Sequence, residues 1–300
     1  TIGINNPLLG KTFFNLGEML REQGDLNQAS HYLEKAVELM ETYSEFGLPL
    51  ANLAIARVKL NLKEWDLVQT YIDLARTQAQ KGPSPQITEK IVDVMQARLW
   101  LEIGNFSNVF QWIQNKELMN KPISERINAL EKLGGLNEFF ITENQILIRY
   151  TLAQKKPGDA IELIDPILNY TQTKGNKRRL IELLVLKAIA LNQLNEDNLA
   201  LKALQSSFSM AEQEGFQRVF IDEGKSIINL LNLAISHQVH PHFSGKLLSV
   251  IIKEQVLHKP TSNITPEDVI EPLSEREIEI LNLIAQGHSN TEIAKNYLYP

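Results

Sequence analysis

The chain has 300 residues, a length that suits about two domains, with 43% hydrophobic residues and a net charge of −6 at pH 7. It contains no cysteine, which excludes disulfides and thiolate metal sites and fits a reducing cytoplasm. No apolar run approaches the roughly 18 residues of a membrane span, and an acidic balance is the wrong sign for a general nucleic-acid footprint.

The amino-terminal stretch TIGINNPLLG has no initiator methionine, basic cluster or signal-peptide core, so the sequence is expected to begin inside a longer protein. Gly10-Lys11-Thr12 has the ending of a phosphate-binding loop. Asn5 stands where that motif needs its first glycine, and no strand precedes it, so a nucleotide site is set aside.

From Gly24 the chain repeats. Gly24-Asp25-Leu26, with Ala29 and Leu33, returns as Lys63-Glu64-Trp65 with Val68 and Ile72. It returns again as Gly104-Asn105-Phe106 with Val109 and Ile113, as Lys155-Lys156-Pro157 with Ala160 and Ile164, and as Asn195-Glu196-Asp197 with Ala200 and Leu204. A residue pair four apart shares one helical face, and a small residue there lets two helices approach closely. An apolar helix precedes each turn, as in Leu50 to Leu62 and Leu180 to Leu194. The turns stand 39, 41, 51 and 40 residues apart, longer than the repeat of about 34 in tetratricopeptide arrays, though the turn form is theirs. The long gap holds an insertion, Lys116 to Asn137, with Pro122 and Gly134-Gly135. With almost no strand signal, the expected fold is all-α: a tetratricopeptide-like helical-repeat superhelix with a concave groove, residues 1–258.

Three arginines occupy one register of this repeat. Arg57, Arg98 and Arg149 each lie six residues before a turn, at Lys63, Gly104 and Lys155, inside otherwise apolar helices. In tetratricopeptide-like stacks the first helix of each pair lines the groove, so the three are expected in a column facing inward. Two readings stay open. The column takes an anionic or polyhydroxyl ligand, or an acidic peptide, because guanidinium offers a planar donor fork. Alternatively each arginine pairs with a nearby carboxylate, as Arg98 can with Glu102 one turn on.

The stretch from about Phe106 to Gly224 resembles the sensor region of MalT-like regulators, the large ATP-dependent members of the LuxR family, and MAEQEGFQRVFIDEG, Met210 to Gly224, resembles the segment that closes that sensor. A further helical pair is expected through about Val256, followed by an interdomain linker, residues 259–272, with Pro260, Pro266 and Pro272. From Leu273 the sequence LSEREIEILNLIAQGHSNTEIA resembles the opening of a LuxR-type helix-turn-helix domain. Ser274 and Glu277 form a capping box, Ile278, Leu281, Ile284 and Ala285 an apolar stripe, and Gly287 a helix stop. The resemblance implies backbone contacts to DNA from Ser289, Asn290 and Thr291. Its base-reading helix is expected beyond Pro300, leaving residues 273–300 as an incomplete helix-turn-helix domain that binds DNA weakly and in a salt-sensitive way by itself.

His237, His240 and His242 lie close together but lack the carboxylate or thiolate company of a metal site, and are read as a hairpin loop. Trp65, Trp100 and Trp112 are read as core. No nucleophile set stands out, and neither an enzyme, a metal nor a cofactor is expected in this segment; ATP is implied only for the full-length family. The expected function is that of a fragment of a cytoplasmic, signal-responsive, DNA-binding transcriptional regulator. Its repeat domain binds a small-molecule inducer or a regulatory protein and controls the DNA-binding domain, with self-association implied by the family and no membrane partner. The alternative is a helical-repeat scaffold for protein–protein interaction without DNA binding. With three prolines in the linker, limited proteolysis is expected to cut between Lys259 and Glu271 first; equal protection of the linker and the repeats contradicts this division.

Overall fold

Five turns of one backbone geometry organise the structure. In this computed structural model, which describes residues 7–43, 47–82, 84–132 and 138–257, Gly24, Lys63, Gly104, Lys155 and Asn195 have φ of 88°, 58°, 74°, 59° and 61°. In each case the next residue's amide donates to the carbonyl five residues back: Asp25 to Leu20, Glu64 to Lys59, Asn105 to Trp100, Lys156 to Thr151 and Glu196 to Leu191, at 2.8–3.1 Å. This is a Schellman closure, in which one left-handed residue satisfies the last carbonyls of a helix and turns the chain back. Two of the five positions are glycine, which reaches positive φ without strain.

The turns join helix pairs: α1 (Pro7–Gln23) with α2 (Leu26–Tyr43), α3 (Leu48–Asn61) with α4 (Trp65–Lys81), α5 (Pro85–Glu102) with α6 (Phe106–Asn115), α8 (Glu138–Ala153) with α9 (Pro157–Lys174), and α10 (Lys177–Gln193) with α11 (Asp197–Glu214). The one-turn helix α12 (Arg218–Ile221) and the pair α13 (Lys225–Ser236) and α14 (Pro241–Leu257) follow. Consecutive pairs stack, with α2 on α3, α4 on α5 and α9 on α10. No strand occurs among the described residues, and no helix there is long and apolar enough to cross a membrane. Contacts divide the chain into two units, Thr1–His258 and Lys259–Pro300. The linker, the helix-turn-helix segment and its Ser289, Asn290 and Thr291 lie outside the described residues.

The small-then-large pairs after each turn are the packing centres. Ala29, Leu33, Val68, Ile72, Val109, Ile113, Ala160, Ile164, Ala200 and Leu204 are all fully buried. Gly17 of α1 marks the closest approach: a β-carbon there would meet the Leu33 side chain at 2.5 Å. Trp112 is buried, and Trp65 and Trp100 pack half-buried against the same clusters. The three C-terminal helices close over Phe208, Phe220 and Phe243, whose rings meet at 5.1–5.7 Å between centroids. At this end His240 pairs with Glu212 at 2.6 Å and stands edge-on to Phe208. Gly10, Lys11 and Thr12 lie within α1, so no phosphate loop forms there.

The insertion between α6 and α8 folds in part as a helix. It contains α7 (Ile123–Glu131), whose Ile123 and Ile127 are buried and join the largest core cluster. Ile123, Ile127 and Leu130 stand at helical spacing, a short stripe bounded by Pro122 and the paired glycines.

Left-handed backbone costs an L-residue roughly 1–2 kcal/mol, of which glycine's extra freedom in the unfolded chain returns about 0.5–1. Lys155→Gly is therefore expected to stabilise the protein by about 0.5–1 kcal/mol, and Gly104→Val to destabilise it by at least about 1 kcal/mol, read as opposite shifts of the urea midpoint.

Candidate ligand-binding cavity

Helices with the same turn register present the same faces inward. Positions six and two residues before each turn are Glu18 and Glu22 in α1, Arg57 and Asn61 in α3, Arg98 and Glu102 in α5, Arg149 and Ala153 in α8, and Ile189 and Gln193 in α10. Nine of these ten residues line one cavity of about 1040 Å³; Glu22, the tenth, bonds to two residues that do. The helical repeat thus places Arg57, Arg98 and Arg149 on a common wall. Each is paired: Arg57 with Glu18 at 2.5 Å, Arg98 with Glu102 at 2.8 Å, and Arg149 with Glu223 at 2.6 Å.

Four further arginines complete the wall: Arg21 of α1, Arg178 and Arg179 of α10, and Arg218 of α12. Arg178 bonds to Glu22 and Glu182, and Arg179 to Glu138 and Glu182. Glu182 also accepts a hydrogen bond from Gln145 at 2.9 Å. Burial opposes ionisation of Glu182, but the two guanidiniums and these hydrogen bonds outweigh it and hold the pKa at about 2.

The centre of the network is Asp222. Its carboxylate accepts from Arg21 at 2.5 Å, Arg218 at 2.8 Å and Asn61 at 2.9 Å, and its main-chain carbonyl accepts from Arg98 at 2.9 Å. Burial again opposes the charge, and Arg218, Arg21 and Arg98 outweigh it, so the Asp222 pKa lies far below the ordinary carboxylate range. The side chain of Arg218 is 1% exposed and reaches Glu254 of α14 as well. Burial would lower the pKa of Arg218 and of Arg98, but the facing carboxylates raise both. For Arg21 burial wins over Asp222, and its pKa falls below the usual arginine value.

Arg57, Arg98 and Arg149 are legible from their register before the turns. Glu18 shares that register, one repeat earlier, and is found by the same rule once acids are admitted. The long-range contacts are not legible in this way: Arg21 meets Asp222 across 201 residues of chain and Glu22 meets Arg218 across 196, although Arg218 and Asp222 themselves stand one helical turn apart. No group of three or more metal-ligating side chains occurs among the described residues. What the arrangement offers is a dense set of oriented donors.

The repeat of hairpins with left-handed turns and a charged concave wall defines a helical-repeat superhelix of the tetratricopeptide class. Residues 3–237 match the family model for the MalT-like TPR region, and the chain belongs to that family. Residues 271–298 match the model for bacterial regulatory proteins of the luxR family. The chain is also 42% identical over 66 residues to the oxygen regulatory protein NreC of Staphylococcus haemolyticus (strain JCSC1435); the match covers 22% of this chain and 30% of that protein.

Because the folded pKa of Glu182 lies below its ordinary value of 4.5, its stabilisation is present above pH 4.5 and is lost as pH falls towards about 2. The expected loss is roughly 3 kcal/mol. Asp222, held lower still, loses its share at the acid end of that range. Wild-type stability is expected to be level above about pH 5.5 and to fall steeply below 4.5, whereas Glu182→Gln starts lower and falls less across that window, as measured by urea unfolding at fixed pH.

Proposed function

We propose that this chain is part of a signal-responsive, DNA-binding transcriptional regulator. Its repeat unit holds an inducer or a regulatory protein in the arginine-lined cavity, and the bound state governs the LuxR-type segment. The carrying observation is the cavity wall. Repeat stacking needs only the apolar faces, yet helices of five successive pairs bring charged or amide side chains to one concave surface. Four buried polar atoms on that wall, Arg57 Nε, Gln255 Nε2, Glu18 Oε1 and Gln193 Oε1, have no hydrogen-bond partner among the described residues. Convergent polar groups in a concave site are the mark of a ligand pocket. In this reading the repeat unit binds its ligand and catalyses no reaction. DNA is contacted through the LuxR-type segment, with Ser289, Asn290 and Thr291 offering amides to a phosphate.

Arg57 and Arg98 are the residues to remove. Without Arg98, Glu102 keeps Lys63 at 3.5 Å; without Arg57, Glu18 remains about one-third exposed. Neither change leaves a deeply buried acid unpaired. Each charge-assisted bond is worth about 1.5–3 kcal/mol, so a ligand of the cavity is expected to bind Arg57→Ala/Arg98→Ala at least about 10-fold more weakly. The measurement is a thermal-shift screen of carboxylic acids, phosphate esters and polyols, followed by calorimetry on hits and by operator binding of the full-length protein with and without the hit. A hit that binds the folded double variant with undiminished affinity places the ligand elsewhere.

A further inference from the structure

The turn between α12 and α13 sits in the cavity in the manner of a bound ligand. Two consecutive acidic residues, Asp222 and Glu223, receive one side-chain donor from the first helix of each of four successive pairs. Arg21 and Asn61 reach the Asp222 carboxylate, Arg98 reaches the Asp222 carbonyl, and Arg149 embraces the Glu223 carboxylate through Nε and Nη2, at 3.1 and 2.6 Å to Oε1. The Glu223 side chain is only 7% exposed. The turn ends at Gly224, whose φ of 54° and ψ of −125° suit glycine alone, so the local backbone is shaped to present the two acids inward.

The charge balance points to what this turn replaces. Ten cationic and seven acidic side chains line the cavity. Two of those seven are Asp222 and Glu223, so withdrawing the turn leaves ten cations facing five acids in a chain whose overall charge is −6. Glu22 offsets one of these cations through Arg178, and the excess that remains in a partly desolvated wall favours an anion.

We propose that Asp222-Glu223 is an internal pseudo-ligand. The cavity takes a molecule with two or more adjacent carboxylates, and that molecule binds by displacing the turn from Arg21, Arg98 and Arg149. This rests on the reading of the cavity as the ligand site. The tethered turn is always at hand, so it lowers the apparent affinity of the free ligand by the fraction of molecules in which the turn is closed. Displacement also releases Arg21 of α1 and Asn61 of α3 from Asp222, the residue that ends α12, and so couples ligand binding to the position of the C-terminal helices. Adjacent carboxylates occur both in small polycarboxylic acids and in acidic protein segments, and the two are separated by choice of probe.

The test titrates citrate, and separately the blocked tetrapeptide Ile-Asp-Glu-Gly, into wild type, Glu223→Gln and Arg149→Ala/Glu223→Gln by calorimetry, and follows hydrogen exchange of residues 217–226 in wild type. At least a 10-fold tighter binding of either probe to Glu223→Gln, lost in the double variant, together with faster exchange of 217–226 in wild type on probe addition, is expected. Citrate alone responding assigns a small acid; the peptide alone responding assigns an acidic protein segment. Equal affinity for wild type and Glu223→Gln, or no binding of either probe to a Glu223→Gln protein with wild-type circular dichroism, overturns the proposal. If Glu223→Gln does not fold, unchanged exchange of 217–226 in wild type saturated with either probe overturns it. A neutral ligand that needs Arg57 and Arg98 and leaves that exchange unchanged overturns displacement while leaving the cavity as the ligand site.

Discussion

Burying the Asp222 carboxylate is the constraint on which the rest of this cavity depends. An ion taken out of water costs several kcal/mol, and that cost is offset only if every lone pair finds a donor in good geometry. Here the donors come from α1, α3 and α12, with α5 holding the adjacent carbonyl. A shift of any of these leaves a largely buried charge short of a donor. The same logic binds Glu182 to Arg178 and Arg179, and Arg218 to Glu254. The network is therefore all-or-none in character: each pair is justified by the others, and removing one partner costs more than the pair itself contributes.

Much of the fold is readable in the chain because it is local. A turn signal, a small residue and a large one four positions later suffice to define each hairpin, and all ten of those packing residues are buried. Local register also brings out Arg57, Arg98 and Arg149, since a fixed offset from the turn fixes the helical face. The acids that meet them are another matter. Glu102 lies one turn from Arg98 and is foreseeable, but Glu223 lies 74 residues from Arg149, and Asp222 lies 201 from Arg21. Nothing in a periodicity reveals how far the superhelix must wind before its last helices return to its first. The short helix α7 is hard to read for a different reason: its nine residues carry only three large apolar positions, too few for the stripe to stand out.

The chain segregates its charge. Its sum is −6, yet cations predominate on the concave wall, so the acidic excess lies elsewhere. Arginine rather than lysine holds the central contacts, and its planar fork allows one side chain to serve two acceptors at once, as Arg218 does for Asp222 and Glu254 and Arg98 does for Glu102 and the Asp222 carbonyl. The wall belongs to the MalT-like repeat, and the same chain carries a LuxR-type segment.

Stacked helix pairs ordinarily touch only their neighbours, and such an array frays from its ends. Here the contacts between α1 and α10–α12 span 156 to 201 residues, so α1 is held by distant helices as well as by its neighbours. Closing that contact after the pairs have stacked joins rigid bodies rather than a flexible loop, and its entropic cost falls on orientation, not on chain length. The array becomes a circuit in which a change of pitch between any two pairs accumulates at one seam. The seam is the place where strain from the whole repeat is read.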